Sequence, residues 1–443
     1  MEIREYTFAG GIHPKYDKEL SSKCFIEEYL PKSQVIIPLQ QNIGAPCTPL
    51  VKVNDLVKVG QKIGEANGFV SASVHSSVSG KVVAIEDMPS PSGKLVKSIV
   101  IESDGEFNYD ESIQLNKNTD LDNLKPEEIR QIVRDAGIVG MGGAMFPTAV
   151  KLNPPPDKKI DIVILNGAEC EPYLTADHRL MLEKPVDVVY GLLAIMKALG
   201  ASKGYVGVED NKKDAIKEMK KSCKEFGDIE VAVLKTKYPQ GSEKHIIKAI
   251  TGREIPSGKL PADIGVAVDN VGTAFAIAEA IKFGKPLIER VVTVTGEGVG
   301  TPKNLLVKIG TPFRELIEYC GGFKGTPGKV ISGGPMMGIA QYSIDVPVIK
   351  GTSGILVLPE DRIALKDPKP CIKCARCVDA CPMNLLPLFI SAYSLKNDFN
   401  KCEEYHALDC IECGSCSYVC PSKRPLVESI RLAKREILRK RKK

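Results

Sequence analysis

Residues 371–382 read Cys371-Ile372-Lys373-Cys374-Ala375-Arg376-Cys377-Val378-Asp379-Ala380-Cys381-Pro382, and residues 410–421 read Cys410-Ile411-Glu412-Cys413-Gly414-Ser415-Cys416-Ser417-Tyr418-Val419-Cys420-Pro421. Both blocks have the form Cys-x-x-Cys-x-x-Cys-x-x-x-Cys-Pro. Cysteines three residues apart can point their thiols inward around one tight loop. A cubane iron–sulfur cluster needs four thiolates that converge on one small volume. The doubled block therefore predicts two [4Fe-4S] clusters.

The fourth cysteine of each block precedes a proline and is expected to serve the cluster of the other block, so that the chain crosses over. The two predicted ligand sets are Cys371, Cys374, Cys377 and Cys420, and Cys381, Cys410, Cys413 and Cys416. Two other interpretations fit less well. Zinc sites generally use two separated Cys-x-x-Cys pairs, and disulfides need an oxidising compartment, of which the sequence gives no sign.

Length, composition and charge narrow the class of protein. A chain of 443 residues predicts about three domains. No run approaches the roughly eighteen apolar residues of a membrane-spanning helix, and the start lacks the apolar core of a signal peptide. These features predict a reducing, cytoplasmic setting. The net charge of +5 is too mild to argue for nucleic acid. The basic residues 434–443 indicate either a solvated helix end or contact with an anionic membrane surface or an acidic partner.

The first part of the chain is rich in short strand patterns. Residues 34–104 contain apolar runs broken by turn residues, and they resemble the barrel-sandwich hybrid of biotinyl and lipoyl domains. Those domains carry a modified lysine at a hairpin tip. The corresponding tip, residues 65–73, has no lysine here. We therefore expect a docking or structural module and not a swinging arm.

The pattern changes to alternating helices and strands after residue 125. An amphipathic helix is predicted over residues 126–137, and strand and helix patterns alternate to about residue 284. This alternation predicts an α/β layer with a mostly parallel sheet. Residues 288–345 become β-rich and resemble the soluble-ligand-binding β-grasp (SLBB) domain. Residues 346–368 are predicted to be a linker, and residues 424–441 a basic helix.

Polar loops follow three of the predicted strands, at residues 166–172, 237–244 and 269–273. In open α/β sheets, ligands bind at the carboxyl ends of the strands. The segment Gly140-Met141-Gly142-Gly143, with Lys151 nearby, lies between a predicted helix and a strand. Alone it is a weak phosphate-loop signal, because glycine strings occur in many turns. Together, the four segments predict one ligand site at the sheet edge.

These loops resemble the flavin- and NADH-binding subunit of respiratory complex I, whose Gly-Arg-Gly-Gly-Ala-Gly-Phe-Pro-Thr loop is similar to residues 140–148. Nearly the whole chain resembles the C subunit of the Rnf ion-translocating electron-transport complex, from Gly-Gly-Ile-His-Pro at residues 10–14 to the doubled cysteine block. The resemblance implies a multidomain α/β and α+β fold. Its parts are a lead-in and barrel-sandwich hybrid (1–105), a complex I flavoprotein-like FMN/NADH domain (106–287), a β-grasp domain (288–345), the linker (346–368) and a two-[4Fe-4S] ferredoxin-type helical domain with a basic C-terminal helix (369–443).

The resemblance also implies site residues. FMN would be held by Gly140, Gly142, Gly143, Lys151, Asn166, Glu169, Gly241, Asn270 and Thr273, with Lys151 facing its phosphate. NADH would meet Phe146, Glu171 and Glu243. Three positions depart from the complex I pattern, where an Arg stands in place of Met141, an Asp in place of Ala168 and a Glu in place of Ser242. Each carboxylate, taken alone, also fits a surface ion pair or a charge at a helix N-terminus.

The function implied is that of an NADH-oxidising, peripheral subunit on the cytoplasmic face of a membrane complex. Electrons would pass between NADH and ferredoxin, coupled to translocation of Na⁺ or H⁺. Its partners would be NAD(H) and the other subunits of that complex, including an iron–sulfur B-type subunit. Two alternatives remain open at this point: a cobalamin reductase of similar domain content, and an electron-transfer scaffold without NADH activity.

Overall fold

The computed structural model describes residues 6–114, 119–363 and 367–441. The predicted domains also include residues 1–5, 115–118, 364–366 and 442–443, which lie outside the described residues. The strands are β1 (Ile26–Tyr29), β2 (Gln34–Pro38), β3 (Thr48–Pro49), β4 (Leu56–Val57), β5 (Lys62–Glu65), β6 (Val74–His75), β7 (Gly80–Pro89), β8 (Leu95–Ser103), β9 (Ile162–Gly167), β10 (Lys203–Glu209), β11 (Ile229–Leu234), β12 (Val266–Asn270), β13 (Glu289–Thr295), β14 (Lys303–Lys308), β15 (Pro327–Ser332), β16 (Ile339–Ala340) and β17 (Gly354–Pro359).

The helices complete the list of elements. They are α1 (Pro126–Asp135), α2 (Thr148–Lys151), α3 (Ala176–Glu183), α4 (Pro185–Leu199), α5 (Lys213–Ser222), α6 (Glu243–Thr251), α7 (Val271–Phe283), α8 (Phe313–Tyr319), α9 (Arg376–Asp379), α10 (Pro387–Ser394), α11 (Phe399–Glu404), α12 (Ser415–Tyr418) and α13 (Leu426–Arg441). Short 3₁₀ turns lie at Lys18–Leu20, Leu121–Asn123, Pro261–Ile264, Glu360–Ile363 and Ala407–Asp409.

The predicted barrel-sandwich hybrid is confirmed. It consists of one antiparallel sheet in the order β2-β8-β7-β4 and a smaller one in the order β3-β5-β6. Alternate residues of the strands, such as Val35 and Ile37 of β2, point into a common core between the sheets. The tip of the module carries Phe69, which is exposed.

The predicted parallel α/β layer is also confirmed. Strands β11, β10, β9 and β12 pair in that order, and every pairing is parallel. In β9, Val163 and Leu165 face a core that α4 and α7 help to form, whereas Ile164 faces the core on the α6 side. Helices therefore cover both faces of the sheet. This explains why β9 reads as an uninterrupted apolar run and not as an alternating one.

The β-grasp sheet takes strands from outside its predicted range. Its order is β1-β14-β13-β17-β15-β16. The prediction of a linker at residues 346–368 is wrong for residues 354–359, because β17 lies inside the sheet between β13 and β15, where Ile355, Leu356 and Val357 are fully buried. Strand β1, from the predicted first domain, pairs with β14 in parallel. The two domains thus share a sheet.

One buried lysine of the predicted linker segment joins two of the domains. The Nζ of Lys350 donates to the carbonyl of Ser73 in the barrel sandwich at 2.7 Å and to that of Gly137 after α1 at 2.6 Å. Gly137 has a φ of +62°, and a Cβ there would lie 2.1 Å from the Ser73 oxygen, so only glycine fits this approach. Burial lowers the pKa of Lys350 to about 8. The contact fixes the chain that leads into the glycine loop at residues 140–143.

The C-terminal domain is helical. Helix α10 packs against α11 and α13, around a core that includes Ile390, Cys402 and Ile430. Helix α13 confirms the basic helix predicted over residues 424–441. Among the described residues, no helix combines the length and the apolar character needed to cross a bilayer.

Candidate functional site: two cysteine blocks and a flavin-type sheet edge

The two cysteine blocks fold in the same way. Lys373 and Glu412, each two residues after the first cysteine of its block, have φ angles of +56° and +58°. Ala375 and Gly414, two residues further on, have φ angles of +61° and +79°. Each loop then enters a one-turn helix, α9 or α12. The repeated left-handed residues curl each loop so that its cysteines face one volume.

The first predicted ligand set surrounds one cavity. Cys371, Cys374, Cys377 and Cys420 all line it, and its empty space is ≈ 540 Å³ with the open mouth included. Cys420 comes from the other block, as the crossed arrangement requires. The charges of Cys420 and Cys371 both act on the Cys377 thiol, whose pKa burial raises. Four sulfur donors around one space fit a [4Fe-4S] cluster.

The second predicted set is more deeply placed. Burial, with smaller contributions from the neighbouring thiols of Cys413 and Cys381, raises the pKa of Cys410 to about 11. Burial also raises the pKa of Cys416, again with Cys410, Cys413 and Cys381 as neighbours. Cys381 therefore lies with the block that does not contain it. Buried thiols at this spacing fit a metal cluster, because iron supplies the positive charge that stabilises thiolates.

The glycine loop lies against the start of α7. The N–H of Met141 donates to Thr273 Oγ1 at 3.0 Å, and a Cβ on Gly142 would lie 2.9 Å from the Asn270 side chain. The loop is closed by the N–H of Gly140, which donates to the carbonyl of half-buried Phe146 at 2.9 Å. Gly143 is exposed with open space around it. The loop therefore leaves room for a ligand to approach its backbone.

The three strand-end loops meet beside the glycine loop. Asn166 Nδ2 donates to the carbonyl of Gly241 at 2.7 Å, and Asn166 Oδ1 accepts from the N–H of Ala168 at 3.2 Å. Asn270 Oδ1 accepts from the N–H of Gly272 at 2.8 Å and caps α7. The fold thus brings Gly142, Asn166, Gly241, Asn270 and Thr273 to one sheet edge, as the sequence predicts.

Lys151 places a positive charge at this edge. Its Nζ lies 3.3 Å from Asp269 Oδ1 and 4.0 Å from Glu243 Oε1. It also donates a hydrogen bond to the Val268 carbonyl at 2.5 Å. Burial opposes the charge, yet the two carboxylates outweigh it and raise the pKa of Lys151. Within the described chain, both amide atoms of buried Gln240 have no hydrogen-bond partner, and the carboxylate of Asp269 has none beyond its ion pair with Lys151. An ammonium beside buried polar groups that can still form hydrogen bonds fits a polar, phosphate-bearing flavin.

Two predicted site residues hold backbone groups instead of facing an open pocket. Glu169 accepts the N–H of Asp177 at 2.7 Å and that of His178 at 3.2 Å, which caps the N-terminus of α3. Glu171 accepts the N–H groups of Met336 and Met337, at 3.1 and 2.8 Å, from the β-grasp domain. Burial raises the pKa of Glu171 to about 7.

Comparison with known proteins adds four matched domain families. Residues 6–106 match the RnfC barrel sandwich hybrid domain, 133–279 the Nuo51 FMN-binding domain, 291–340 the SLBB domain and 363–421 the 4Fe-4S dicluster domain. The chain is also similar along its whole length to the C subunit of the Na(+)-translocating ferredoxin:NAD(+) oxidoreductase complex of Acetobacterium woodii, with 54% identity over 443 residues and 100% of both chains covered. The chain belongs to the Rnf C-subunit family. The predicted fold class and the FMN and [4Fe-4S] cofactors are thereby confirmed.

Other members of the Rnf C-subunit family show similarly high coverage. The Clostridium ljungdahlii protein, named for a proton-translocating ferredoxin:NAD(+) oxidoreductase complex, is 51% identical over 431 residues, which are 97% of this chain and 94% of that one. The Rhodobacter capsulatus protein, named as the C subunit of an ion-translocating oxidoreductase complex, is 43% identical over 435 residues, which are 98% of this chain and 83% of that one.

In this member of the Rnf family, the flavin-type edge, formed by the glycine loop and the three strand-end loops, touches both cysteine blocks directly. The buried Tyr238 donates its hydroxyl proton to the Cys413 carbonyl at 2.8 Å. His245 Nε2 donates to the Pro382 carbonyl at 2.9 Å. Ile12 of the lead-in pairs with Tyr238 and packs with Cys413 in one apolar cluster. The two halves of the site are therefore continuous.

Sequence reasoning missed two buried lysines that shape this edge. Lys18 Nζ donates to the carbonyls of Glu169, Glu171 and Leu174, at 2.8, 2.9 and 2.5 Å. Lys212 Nζ donates to the Ala168 carbonyl at 2.7 Å and lies 3.1 Å from Glu209 Oε2. Together they hold the loop that follows β9. A lysine that binds backbone carbonyls leaves no sequence signal, because every residue has a carbonyl.

Proposed function

We propose that this chain is the NADH-oxidising subunit of an Rnf-type membrane complex and transfers electrons between NADH and ferredoxin through FMN and two [4Fe-4S] clusters. One observation carries the proposal: the hydrogen bond from Tyr238 to Cys413 joins the flavin-type edge to a predicted cluster loop within one polypeptide. The names of the Acetobacterium and Clostridium relatives support the same activity. Since one name specifies Na⁺ and the other protons, either ion fits the proposed coupling.

The residues at the sheet edge would hold the cofactor. When bound, FMN takes two electrons from NADH as hydride and gives them up singly, as iron–sulfur clusters require. Lys151 offers an ammonium to the phosphate, and the exposed glycine loop lets backbone N–H groups come close. The side-chain amides of Asn166 and Asn270 are already oriented by their hydrogen bonds to the loops. Orientation before binding lowers the entropic cost of the productive geometry.

The proposed NADH contacts are Phe146, Glu171 and Glu243. Phe146 is half-buried at the end of the glycine loop, and Glu243 opens α6 beside Lys151. Glu171 differs from them, because its carboxylate is already bound by two N–H groups of the β-grasp domain. Contact with NADH would require it to exchange those partners. We therefore expect Glu171 to contribute less to NADH binding than Glu243.

The position of the cysteine blocks supports an order of electron transfer. The cluster of Cys381, Cys410, Cys413 and Cys416 adjoins Tyr238, so it would exchange electrons with the flavin first. In the other set, Cys371 and Cys374 are exposed. That cluster would therefore serve as the exit to a partner subunit, which we expect to be an iron–sulfur B-type subunit. The chain would sit peripherally on the cytoplasmic face of the membrane complex.

Anaerobic purification tests the proposal against its alternatives. We expect one FMN and iron equivalent to two [4Fe-4S] clusters per chain, together with co-fractionation of the chain with membranes of the native cell. A protein that stays in the membrane-free fraction and reduces a corrinoid would support the cobalamin reductase alternative. A protein with both clusters whose FMN does not react with NADH would support the scaffold alternative.

A further inference from the structure

A cavity adjoins the flavin-type edge and has no role in the function proposed above. Its empty space is ≈ 480 Å³ with the open mouth included. Met141 of the glycine loop and Gly272 of α7 form part of its wall. The charged residues that line it are Asp177, Glu279, Lys285, Glu289 and Arg290. A cavity with this lining can hold water next to the flavin site.

Asp177 lies between this cavity and the flavin site. Its Oδ2 accepts a hydrogen bond from Asn270 Nδ2 at 2.7 Å, which fixes the amide that is expected to face FMN. Asp177 also lines the cavity and is of intermediate exposure. A proton from solvent can thus reach a group only one residue away from the proposed cofactor.

The surroundings of Asp177 favour its protonated form. Burial and the carboxylate of Glu169 raise its pKa to about 7, against the opposing effects of the Asn270 hydrogen bond, Arg290 and Lys18. Glu169 is held close, because its Oε1 accepts the N–H of Asp177 at 2.7 Å. The charged groups that face Asp177 or share its cavity are Lys18 of the lead-in, Glu169 of the loop after β9, Glu279 of α7, Lys285 of the next turn, and Glu289 and Arg290 of β13.

We infer that Asp177 takes up a proton when NADH delivers hydride to the flavin site and releases it when the electrons leave for the clusters. The inference rests on the proposed function. Hydride transfer leaves NAD⁺ and brings two electrons and one proton to the flavin site. The flavin site therefore gains one negative charge. A proton from the cavity water binds the Asp177 carboxylate and neutralises that charge. When two electrons pass to the clusters, the proton of the hydride and the proton on Asp177 both return to solvent.

The test compares the wild-type holoprotein with Asp177→Asn and Glu279→Gln. In Asp177→Asn, the side-chain amide keeps an oxygen that accepts from Asn270 but cannot take up a proton. Glu279→Gln is the control, because Glu279 lines the same cavity and pairs with Lys285 at 3.1 Å. Stopped-flow mixing with NADH at pH 8, in weak buffer with an indicator dye, counts protons during flavin bleaching. We expect Asp177→Asn to take up about one proton fewer per flavin than the wild type, and Glu279→Gln to match the wild type.

Equal proton uptake by Asp177→Asn and the wild type, with normal bleaching in both, would overturn the inference and leave the proposed function intact. Absence of NADH bleaching in the wild type would overturn both. If the variant loses FMN, the wild type labelled with ¹³C-aspartate decides the question. Its reduced-minus-oxidised infrared spectrum should show an isotope-shifted band of a protonated aspartate. A spectrum without that band would overturn the inference as well.

Discussion

Replacing Tyr238 by phenylalanine removes one hydroxyl from the contact between the flavin-type edge and the cysteine blocks. Tyr238 is 1% exposed, and its hydroxyl donates to the Cys413 carbonyl at 2.8 Å. Because phenylalanine fills almost the same space, the main effect is a buried carbonyl without a partner, which costs about 1–3 kcal/mol. That cost makes local opening of the cluster loop roughly 5- to 150-fold more frequent.

Hydrogen exchange, measured by mass spectrometry on anaerobic protein, detects this opening. We expect faster exchange in residues 410–420 of Tyr238→Phe. Tyr190→Phe is the matched control, because the hydroxyl of Tyr190 also donates to a backbone carbonyl, that of Thr119 at 2.9 Å, away from the cysteine blocks. It should leave exchange in residues 410–420 unchanged. The same rates in Tyr238→Phe as in the wild type would refute the idea that this hydrogen bond holds the two redox sites together.

Three further perturbations follow from the site. Cys381→Ala should remove the electron paramagnetic resonance signal of the cluster held by the second block and leave the signal of the first block's cluster. Cys420→Ala should remove the signal of the first block's cluster and leave that of the second. Loss of the same signal in both variants would contradict the crossed ligand sets. Lys151→Met should weaken FMN binding by roughly 10- to 150-fold through loss of a charged hydrogen bond, as measured by fluorescence titration. The double variant Lys151→Met/Asp269→Asn is the control, because it does not leave a buried carboxylate unpaired. Unchanged FMN affinity in both variants would place the phosphate elsewhere. Glu171 binds its proton more tightly in the folded protein, because its pKa rises from 4.5 to about 7. Its contribution to the free energy of unfolding therefore falls as the pH rises through that interval, by at most about 3 kcal/mol. Urea unfolding of Glu171→Gln should lose this part of the pH dependence, and a pH profile equal to that of the wild type would argue against it.

The cluster ligands of this chain could be predicted from its sequence, because the spacing of the cysteines along the chain determines them. Cysteines three residues apart must share a loop, and the structure places Cys381 with the second block and Cys420 with the first. Similarly, the apolar run in β9 predicts a strand buried on both faces, and helices do cover both faces. Such inferences need only residues that are close in the chain.

Pairings between distant residues could not be predicted. Ile26 of β1 aligns with Asn304 of β14, far along the chain. Strand β17 pairs with β13, but nothing in the sequence of β17 shows which sheet it joins. The role of Glu171 shows the same limit. Resemblance assigns it to NADH, but its observed partners are N–H groups of Met336 and Met337, far along the chain in the β-grasp domain. Tertiary contacts of this kind depend on how whole domains pack, and a single sequence does not record that packing.

In the proposed function, one polypeptide converts the paired electrons of NADH into single electrons on its own clusters. Rapid mixing of the anaerobic holoprotein with NADH tests it most directly, with flavin absorbance and freeze-quenched electron paramagnetic resonance followed on the same samples. We predict that flavin bleaching comes first, that the signal of the cluster beside Tyr238 follows, and that Tyr238→Phe slows only the second event. Reduced clusters that form before the flavin bleaches, or a bound flavin that NADH leaves oxidised, would contradict the account.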